Sequence, residues 1–279
     1  MPALHLAKPR VERSLTVSER LRGVSITMKS RQNPWIVRRV PRDSAAVRLF
    51  CVPHAGAGSV IYRDWFTAFP ESIDVCVIEP PGRLARRREP APTDIPQFTS
   101  AFSAALEDYL DVPFAFFGYS LGALMAFECA RALRRDKQRE PQALIVAAHK
   151  APQLPLKLPP ISQQSKPLFV NELERRYGPL EPAIKSEPEL LDAVVDIMRV
   201  DLGMLERYQH QPEAPFSCPI VAIGGTEDTS LDAEALQAWQ AHTSGAFRTE
   251  WIPGGHFFLR QHPQKLRALI QAELTRTAL

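Results

Sequence analysis

The stretch FAFFGYSLGALMAFECARALRR, residues 114–135, constrains the fold of this chain more than any other. It joins a short apolar run, a Gly-x-Ser-x-Gly motif centred on Ser120 and an amphipathic pattern typical of a helix. Where a strand turns this sharply into a helix, the serine backbone is strained and its hydroxyl projects beyond the sheet. Gly118 and Gly122 leave room for the bend. The motif therefore predicts a strand, a sharp turn and a helix, with Ser120 as a nucleophile.

The motif alone is weak evidence, because it arises by chance in about one chain in ten of this length. The alternative is a structural turn whose serine does no chemistry. Pro113 bounds the apolar run and a helical pattern follows the motif, which is the context that a nucleophile at such a turn requires. A helix N-terminus favours negative charge, so the backbone N–H of Leu121 is a candidate donor to an oxyanion.

From Val47 onward, short apolar runs alternate with amphipathic segments, as in a parallel sheet whose strands are connected by helices. The predicted strands are VRLFCVP, IDVCVI, the run before Ser120, ALIVAA, CPIVAIGG and FRTEWIP. We therefore predict an α/β fold for residues 47–279, with a mostly parallel central sheet flanked by helices.

Residues 152–212 interrupt this alternation, because they contain helical patterns but no strand pattern. A proline-rich linker is followed by a helix between Pro167 and Gly178 and by a longer helix, for which Ser186 and Glu189 predict a capping box. The apolar face of the longer helix is formed by Leu191, Val194, Met198, Leu202, Leu205 and Tyr208. Core packing explains such a face, and a helical insertion at this position also predicts a lid over the site.

The N-terminal segment, residues 1–46, is predicted to be a basic extension of the domain. The first 48 residues carry 11 Lys and Arg against 3 acidic residues, a net charge of +8, whereas the whole chain carries +3, so the remainder carries −5. The basic balance therefore gives no ground for nucleic-acid binding by the folded body. We expect disorder up to about residue 30. The alternatives are a targeting segment, against which Glu12 and Glu19 argue, and a true start at Met28.

The cysteine pattern and the hydropathy exclude several other classes of protein. The four cysteines show no C-x-x-C spacing, which predicts reduced core residues in a cytoplasmic protein without disulfides or a zinc site. No apolar run reaches membrane-spanning length. We expect a monomer that uses neither a metal nor a cofactor. The cysteines are Cys51, Cys76, Cys129 and Cys218.

Two polar residues follow the last two predicted strands and complete a possible triad. Asp228 comes just after CPIVAIGG, and His256 lies in a glycine loop after FRTEWIP. A serine needs a base to remove its proton, and the base needs a third group to orient it. The chain order Ser120, Asp228, His256 is that of α/β-hydrolases, so we predict an α/β-hydrolase fold with a helical lid insertion. The alternatives are Glu227, Asp232 and Asp201 for the acid and His54 and His149 for the base.

The small-residue loop HAGAG, residues 54–58, follows the first predicted strand. An α/β-hydrolase places its second oxyanion donor in such a loop, and Ala55 is the candidate here. A phosphate-binding loop is the alternative. It is disfavoured because the loop lacks both a P-loop lysine and a full G-x-G-x-x-G motif.

Five runs in order, FCVPHAGAG, PPGR, FAFFGYSLGALMAFE, DLGMLERYQ and PGGHFFL, together resemble type II thioesterases, the discrete editing enzymes of polyketide and non-ribosomal peptide synthesis. The resemblance covers the chain from about residue 47 to its C-terminus. It implies a helical lid and an acyl substrate presented on the phosphopantetheine arm of a carrier protein. It also implies five site residues: Ser120 as nucleophile, His256 as base, Asp228 as orienting acid, and Ala55 and Leu121 as oxyanion donors.

The chain also departs from the pattern of that family. Its N-terminal extension is long, His149-Lys150 stands where the family usually has Ser-Gly-Arg or similar, and RRYGPLEP replaces a more glycine-rich stretch of the lid. These differences bear on the preferred acyl chain. Two other functions stay open at this point: a small-molecule carboxylesterase or lipase with the same triad, and a non-catalytic binding protein with a hydrolase fold.

The loop PPGRLARRREP, residues 80–90, contains four arginines and leaves the sheet after IDVCVI. Carrier proteins in this setting are typically acidic, so a basic surface near the site would attract them. The alternative is a solvated loop in which Arg83 braces its own backbone. The four candidates for carrier contact are Arg83, Arg86, Arg87 and Arg88.

Overall fold

The computed structural model describes residues 33–277, and its central element is a mostly parallel β-sheet. Within these residues the sheet has seven strands in the order β1-β3-β2-β4-β5-β6-β7. Only β1 runs antiparallel, and it pairs with β3. The prediction of an α/β-hydrolase fold with a mostly parallel sheet is confirmed.

The strands and helices alternate along the chain as the sequence pattern predicts. The strands are β1 (Ile36–Val37), β2 (Val47–Val52), β3 (Ile73–Ile78), β4 (Phe114–Tyr119), β5 (Ala143–Ala147), β6 (Ile220–Gly225) and β7 (Phe247–Ile252). The helices are α1 (Ile95–Ala105), α2 (Leu121–Lys137), α3 (Lys166–Tyr177), α4 (Pro182–Ser186), α5 (Pro188–Arg207), α6 (Ala233–Gln237), α7 (Phe258–Gln261) and α8 (Pro263–Thr277).

The five strands β2 to β6 are buried along their whole length, because the sheet is covered on both faces. Alternate residues therefore enter two separate cores. Phe50 and Phe116 join the core that contains α1 and α2, whereas Leu49 and Phe117 join the core on the opposite face, which contains α8. Near-continuous apolar runs such as FAFFGY follow from this double burial.

The unit that contains the sheet begins at Pro34, so it includes residues 34–46, which the sequence analysis assigned to the N-terminal extension. Trp35 is buried, and Arg38 donates to Asp74 of β3 at 2.7 Å. Arg48 donates to the same carboxylate at 2.9 Å. A two-residue strand has no periodicity of its own, so the sequence did not reveal β1. The expectations for residues 1 to about 30, including a start at Met28, lie outside the described residues.

The segment between β5 and β6 forms the predicted helical insertion with α3, α4 and α5. The capping box predicted from Ser186 and Glu189 is wrong, because Ser186 belongs to α4 and its hydroxyl donates to the carbonyl of Ala183. Helix α5 begins instead at Pro188. Proline suits the first position of a helix, because a backbone N–H there would have no acceptor within the helix and proline has none to satisfy. Of the apolar face predicted for α5, Leu202 is buried in the core, and four further residues pack against it while partly buried: Leu191, Met198, Leu205 and Tyr208. Val194 instead lines a cavity.

The cysteines lie in the interior of the described part of the chain, as the sequence pattern predicts. All four cysteines are free thiols in the interior. No helix between residues 33 and 277 combines the length and the hydropathy that a membrane span needs. Within the same range, no cluster of His, Cys, Asp and Glu has the arrangement of a metal site.

Candidate active site

Ser120 lies at the turn between β4 and α2 with a φ of 54° and a ψ of −122°. A positive φ is unfavourable for a residue with a side chain, so this backbone is strained. Two glycines make the turn possible. A Cβ on Gly118 would meet the carbonyl oxygen of Gly122 at 2.3 Å, and one on Gly122 would meet that of Val52 at 2.3 Å. The motif is therefore required by close backbone packing on both sides of Ser120.

The structure brings Ser120, Asp228 and His256 together in one chain of hydrogen bonds. The Nε2 atom of His256 lies 3.0 Å from the Oγ atom of Ser120, and its Nδ1 atom lies 2.8 Å from Oδ2 of Asp228. A carboxylate can only accept, so Nδ1–H donates to Asp228 and Nε2 is left to accept from the serine hydroxyl. This is the tautomer that a general base beside a serine requires.

Asp228 has a second partner that the sequence analysis missed, Ser230. The hydroxyl of Ser230 donates to Oδ1 of Asp228 at 2.6 Å, and its backbone N–H donates to the same atom at 3.0 Å. Burial alone would raise the pKa of Asp228, but the hydrogen bonds from His256 and Ser230 outweigh burial and hold its pKa below the ordinary value. The carboxylate is thus kept ionised. An Asp followed two residues later by Ser is the local pattern that could have revealed this contact.

Tyr119, the residue before the nucleophile, binds the backbone of His256. Its hydroxyl donates to the backbone carbonyl of His256 at 2.5 Å. Tyr119 is fully buried beneath the loop that carries His256. The strand that presents the serine therefore also fixes the position of the histidine backbone.

The alternative acids of the sequence analysis lie elsewhere. Glu227 is exposed, and Asp232 caps α6 by accepting from the N–H of Ala235. Asp201 is buried on α5 and binds a different loop, as described below.

The alternative bases are both buried and keep little affinity for protons. Desolvation lowers the pKa of His54 to about 4 and that of His149 to about 3. The Nδ1 atom of His54 lies 2.8 Å from the carbonyl oxygen of Ala55, and that of His149 lies 2.6 Å from the carbonyl oxygen of Lys150. Neither is joined to Ser120 by a hydrogen bond within the described residues.

The two candidate oxyanion donors follow the neighbouring strands β2 and β4 at the carboxyl edge of the sheet. Leu121 is the first residue of α2, where a backbone N–H has no acceptor inside the helix. Ala55 follows β2, which pairs in parallel with β4 and places Val52 beside Gly118. The loop after β2 therefore packs directly against the turn at Ser120.

A buried carboxylate from the lid holds the loop that contains Ala55. The Oδ2 atom of Asp201 accepts a hydrogen bond from the backbone N–H of Gly56 at 2.7 Å. The same atom forms an ion pair with Arg83, which also donates to the carbonyl of Pro81 at 2.7 Å. Both charged side chains are almost completely buried. The prediction that Arg83 contacts a carrier protein is therefore wrong, because its guanidinium is buried and binds Asp201 and the carbonyl of Pro81.

Arg86 is also buried, so the prediction that it contacts a carrier protein is wrong as well. It donates to Glu89 at 2.6 Å and to the carbonyl of Glu79 at 2.9 Å, and it stacks over the ring of Trp35 at 4.5 Å. Arg87 and Arg88 are exposed, so carrier contact stays a prediction for these two.

Comparison with protein families decides the affiliation of the chain. The thioesterase domain family matches residues 47–274. The chain belongs to this family. As a thioesterase, the protein is a hydrolase of thioester bonds. The triad alone did not distinguish a thioester substrate from an oxygen ester.

Individual relatives of this thioesterase are similar over most of its length. It is 34% identical to the gramicidin S biosynthesis protein GrsT of Aneurinibacillus migulanus over 84% of this chain and 91% of GrsT. It is 35% identical to the thioesterase PikA5 of Streptomyces venezuelae over 81% of this chain and 80% of PikA5. Among solved structures, RedJ, a thioesterase from the prodiginine biosynthetic pathway in Streptomyces coelicolor, superposes with a TM-score of 0.76 at 32% identity, covering 85% of this chain and 91% of RedJ.

Two cavities of this thioesterase meet at Tyr177, the last residue of α3. The smaller, about 100 Å³, is lined by Ser120 and His256. The larger, about 340 Å³, is mostly apolar and extends from the loop at Ala55 beneath α3, α4 and α5. The ring of Tyr177 lines both cavities and lies 4.8 Å from the ring of His256, centroid to centroid. The predicted lid therefore contributes directly to the walls around the nucleophile.

Proposed function

We propose that this thioesterase removes acyl groups from the phosphopantetheine arms of carrier proteins in a polyketide or non-ribosomal peptide pathway. The observation that carries the proposal is the hydrogen-bonded chain from Asp228 through His256 to Ser120 in a protein of the thioesterase family. Relatives named for gramicidin S and prodiginine biosynthesis support the pathway assignment. We further propose that the protein acts as a cytoplasmic monomer.

In the acylation step, the hydroxyl oxygen of Ser120 attacks the thioester carbonyl carbon while Nε2 of His256 takes the hydroxyl proton. Asp228 stabilises the imidazolium that forms and keeps its ring oriented. The carbonyl oxygen becomes an oxyanion, for which the N–H groups of Ala55 and Leu121 are the proposed donors. When the tetrahedral intermediate collapses, the carbon–sulfur bond breaks, His256 returns its proton to the departing sulfur, and the acyl group stays on Ser120.

In the deacylation step, a water molecule gives a proton to Nε2 of His256 and attacks the ester carbon. Collapse of the second intermediate breaks the bond to Ser120, whose oxygen recovers the proton from His256. The acyl group leaves as a carboxylic acid. The protein's own side chains and backbone supply the nucleophile, the base and the oxyanion donors, so we propose that the reaction uses no cofactor.

The experiment that tests this proposal compares wild type with Ser120→Ala. A fluorophosphonate should label wild type and leave the variant unlabelled, and hydrolysis of acyl carrier protein should fall by several orders of magnitude. Matched oxygen esters of the same acyl groups should be cleaved more slowly than the carrier-bound thioesters. Equal labelling of both proteins would contradict the role of Ser120, and faster oxygen-ester cleavage would favour the carboxylesterase function instead.

A further inference from the structure

The two cavities that meet at Tyr177 differ in size and in character. The smaller, about 100 Å³, contains the nucleophile and has the charged side chains of Lys150 and Glu206 in its walls. The larger, about 340 Å³, is enclosed mainly by apolar side chains from the body and from the lid, such as Val60 and Val194. Pockets for small molecules typically measure about 300–1,000 Å³, so the larger cavity has room for an apolar chain and the smaller for a few atoms only.

Tyr177 forms the boundary between these cavities. Among residues 33–277, it is the one residue that lines both of them. Its ring centroid lies 4.8 Å from that of His256, and the two ring planes are inclined at 51°. The side chain is partly buried and packs against the core. The lid therefore places one aromatic ring beside the base of the triad, where the two cavities meet.

The turn after α3 holds the ring in this place. Gly178 ends the helix with a φ of 102° and a ψ of 167°, a conformation that residues with a side chain rarely adopt. A Cβ on Gly178 would meet no atom within 4 Å, so the turn needs the glycine for its backbone and not for close packing. The N–H of Leu180 then donates to the carboxylate of Glu174 at 3.0 Å, which holds the segment against α3. The position of Tyr177 is therefore set by the end of α3 and by this turn.

The ring of Tyr177, and not its hydroxyl, accounts for the boundary. Within the described part of the chain, the hydroxyl makes no hydrogen bond. Burial raises the pKa of Tyr177 above its ordinary value, so the side chain is a neutral phenol at neutral pH and brings no charge to either cavity. A phenylalanine at this position would keep the boundary, whereas an alanine would join the two cavities.

We propose that Tyr177 limits the length of the acyl group that this thioesterase accepts. With the thioester carbon at Ser120, the ring confines the acyl chain to the smaller cavity and keeps its far end out of the larger one. This inference rests on the proposed function and identifies the residue that selects among acyl substrates of different length. Tyr177 acts through its shape and takes no part in the proton transfers.

The pantetheine arm is the other part of the substrate that needs a binding site. The arm carries two amide groups, which lose their hydrogen bonds to water when they enter an apolar cavity. An acyl chain has no such groups beyond its thioester carbonyl, and each methylene that it buries favours binding by about fourfold. The apolar walls of the larger cavity therefore favour a hydrocarbon chain as the occupant once the ring of Tyr177 is removed.

The test compares the full-length protein with Tyr177→Ala on two pantetheine thioesters, butyryl and octanoyl. The ratio of kcat/KM for octanoyl to that for butyryl should rise at least about tenfold in Tyr177→Ala, because the longer chain can then enter the larger cavity. Tyr177→Phe, which keeps the ring, should retain the wild-type ratio. Val194→Ala is the matched control, because it shortens an apolar side chain that lines the larger cavity alone and leaves the boundary in place.

A binding measurement shows the same preference without turnover. In a Ser120→Ala background, Kd for octanoyl-pantetheine should fall with Tyr177→Ala while Kd for butyryl-pantetheine changes less. This measurement stays informative if Tyr177→Ala also disturbs His256 and slows both reactions.

Four results would overturn the role of Tyr177 and leave the proposed function intact. They are a ratio that Tyr177→Ala does not change, a ratio that Tyr177→Phe or Val194→Ala raises as much, an equal gain on both thioesters, and a wild type that already cleaves octanoyl as well as butyryl. An equal gain would assign the larger cavity to the pantetheine arm. Cleavage of neither thioester nor acyl carrier protein by wild type would instead contradict the proposed function.

Discussion

The carboxylate of Asp201 accepts a hydrogen bond from the backbone N–H of Gly56 across 145 residues of sequence. Asp201 lies on α5 of the lid, and Gly56 directly follows Ala55, the proposed oxyanion donor. Arg83 joins the same carboxylate from the loop after β3. One buried ion pair therefore connects the lid, the loop of Ala55 and the body of the protein.

Asp201→Asn should lower kcat by about tenfold or more, because a misplaced Ala55 N–H weakens the binding of the oxyanion more than that of the substrate. Affinity for a trifluoromethyl ketone, whose adduct carries an oxyanion, should fall in parallel. Asp192→Asn is the matched control, since Asp192 lies on the same helix and forms only an exposed ion pair with Lys166. A loss of melting temperature with unchanged kcat would show that Asp201 only stabilises the fold.

Asp228→Asn should lower kcat by at least about a hundredfold, because the amide no longer holds the His256 ring in the required tautomer. Glu227→Gln should have little effect, since Glu227 is exposed. Steady-state rates on one acyl carrier protein measure both variants. If Glu227→Gln proved the more damaging, the acid would have to be reassigned.

Replacing Arg87 and Arg88 with Gln should raise KM for acyl carrier protein at low salt, because two exposed positive charges no longer attract an acidic partner. The difference from wild type should disappear near 1 M salt, where the screening length falls to about 3 Å. An acyl-pantetheine should be hydrolysed equally by both proteins. Arg139→Gln, an exposed arginine before β5, serves as a control away from the site. Equal effects on both substrates would locate carrier recognition elsewhere.

Glu213→Gln should lower the melting temperature at neutral pH by an amount that shrinks in acid. Burial alone would raise the pKa of Glu213, but hydrogen bonds from Arg131, Arg134 and Arg135 and the charge of Arg131 lower it from 4.5 to about 2. Because the folded-state pKa is the lower one, the stabilisation is present above the ordinary value and is lost as the pH falls through about 2. Thermal melts across this range, with Glu234→Gln as a control, measure the difference. A difference that stays constant down to about pH 2 would contradict the assignment.

Local patterns were sufficient to predict the parallel sheet and to select the three residues that the structure joins by hydrogen bonds, Ser120, Asp228 and His256. Ser120 belongs to a motif whose two glycines allow the strained backbone of the turn. Asp228 and His256 each follow a strand at the same edge of the sheet. The partners of Arg83 could not be predicted in this way. Its contact with Asp201 spans 118 residues and depends on how the lid folds back over the body. A charge pattern alone cannot distinguish a buried arginine from a solvated one.

Strand β1 contributes two residues to the sheet, and they pair with Val77 and Ile78 at the end of β3, the strand IDVCVI. The family match begins only at residue 47, after β1. A fragment cut at that boundary would keep every residue of the triad and would leave the backbone groups of β3 at Val77 and Ile78 without their partner strand. An open, apolar edge of this kind pairs readily with the same edge of another molecule. We therefore expect that removing this short strand would favour self-association through the exposed end of β3.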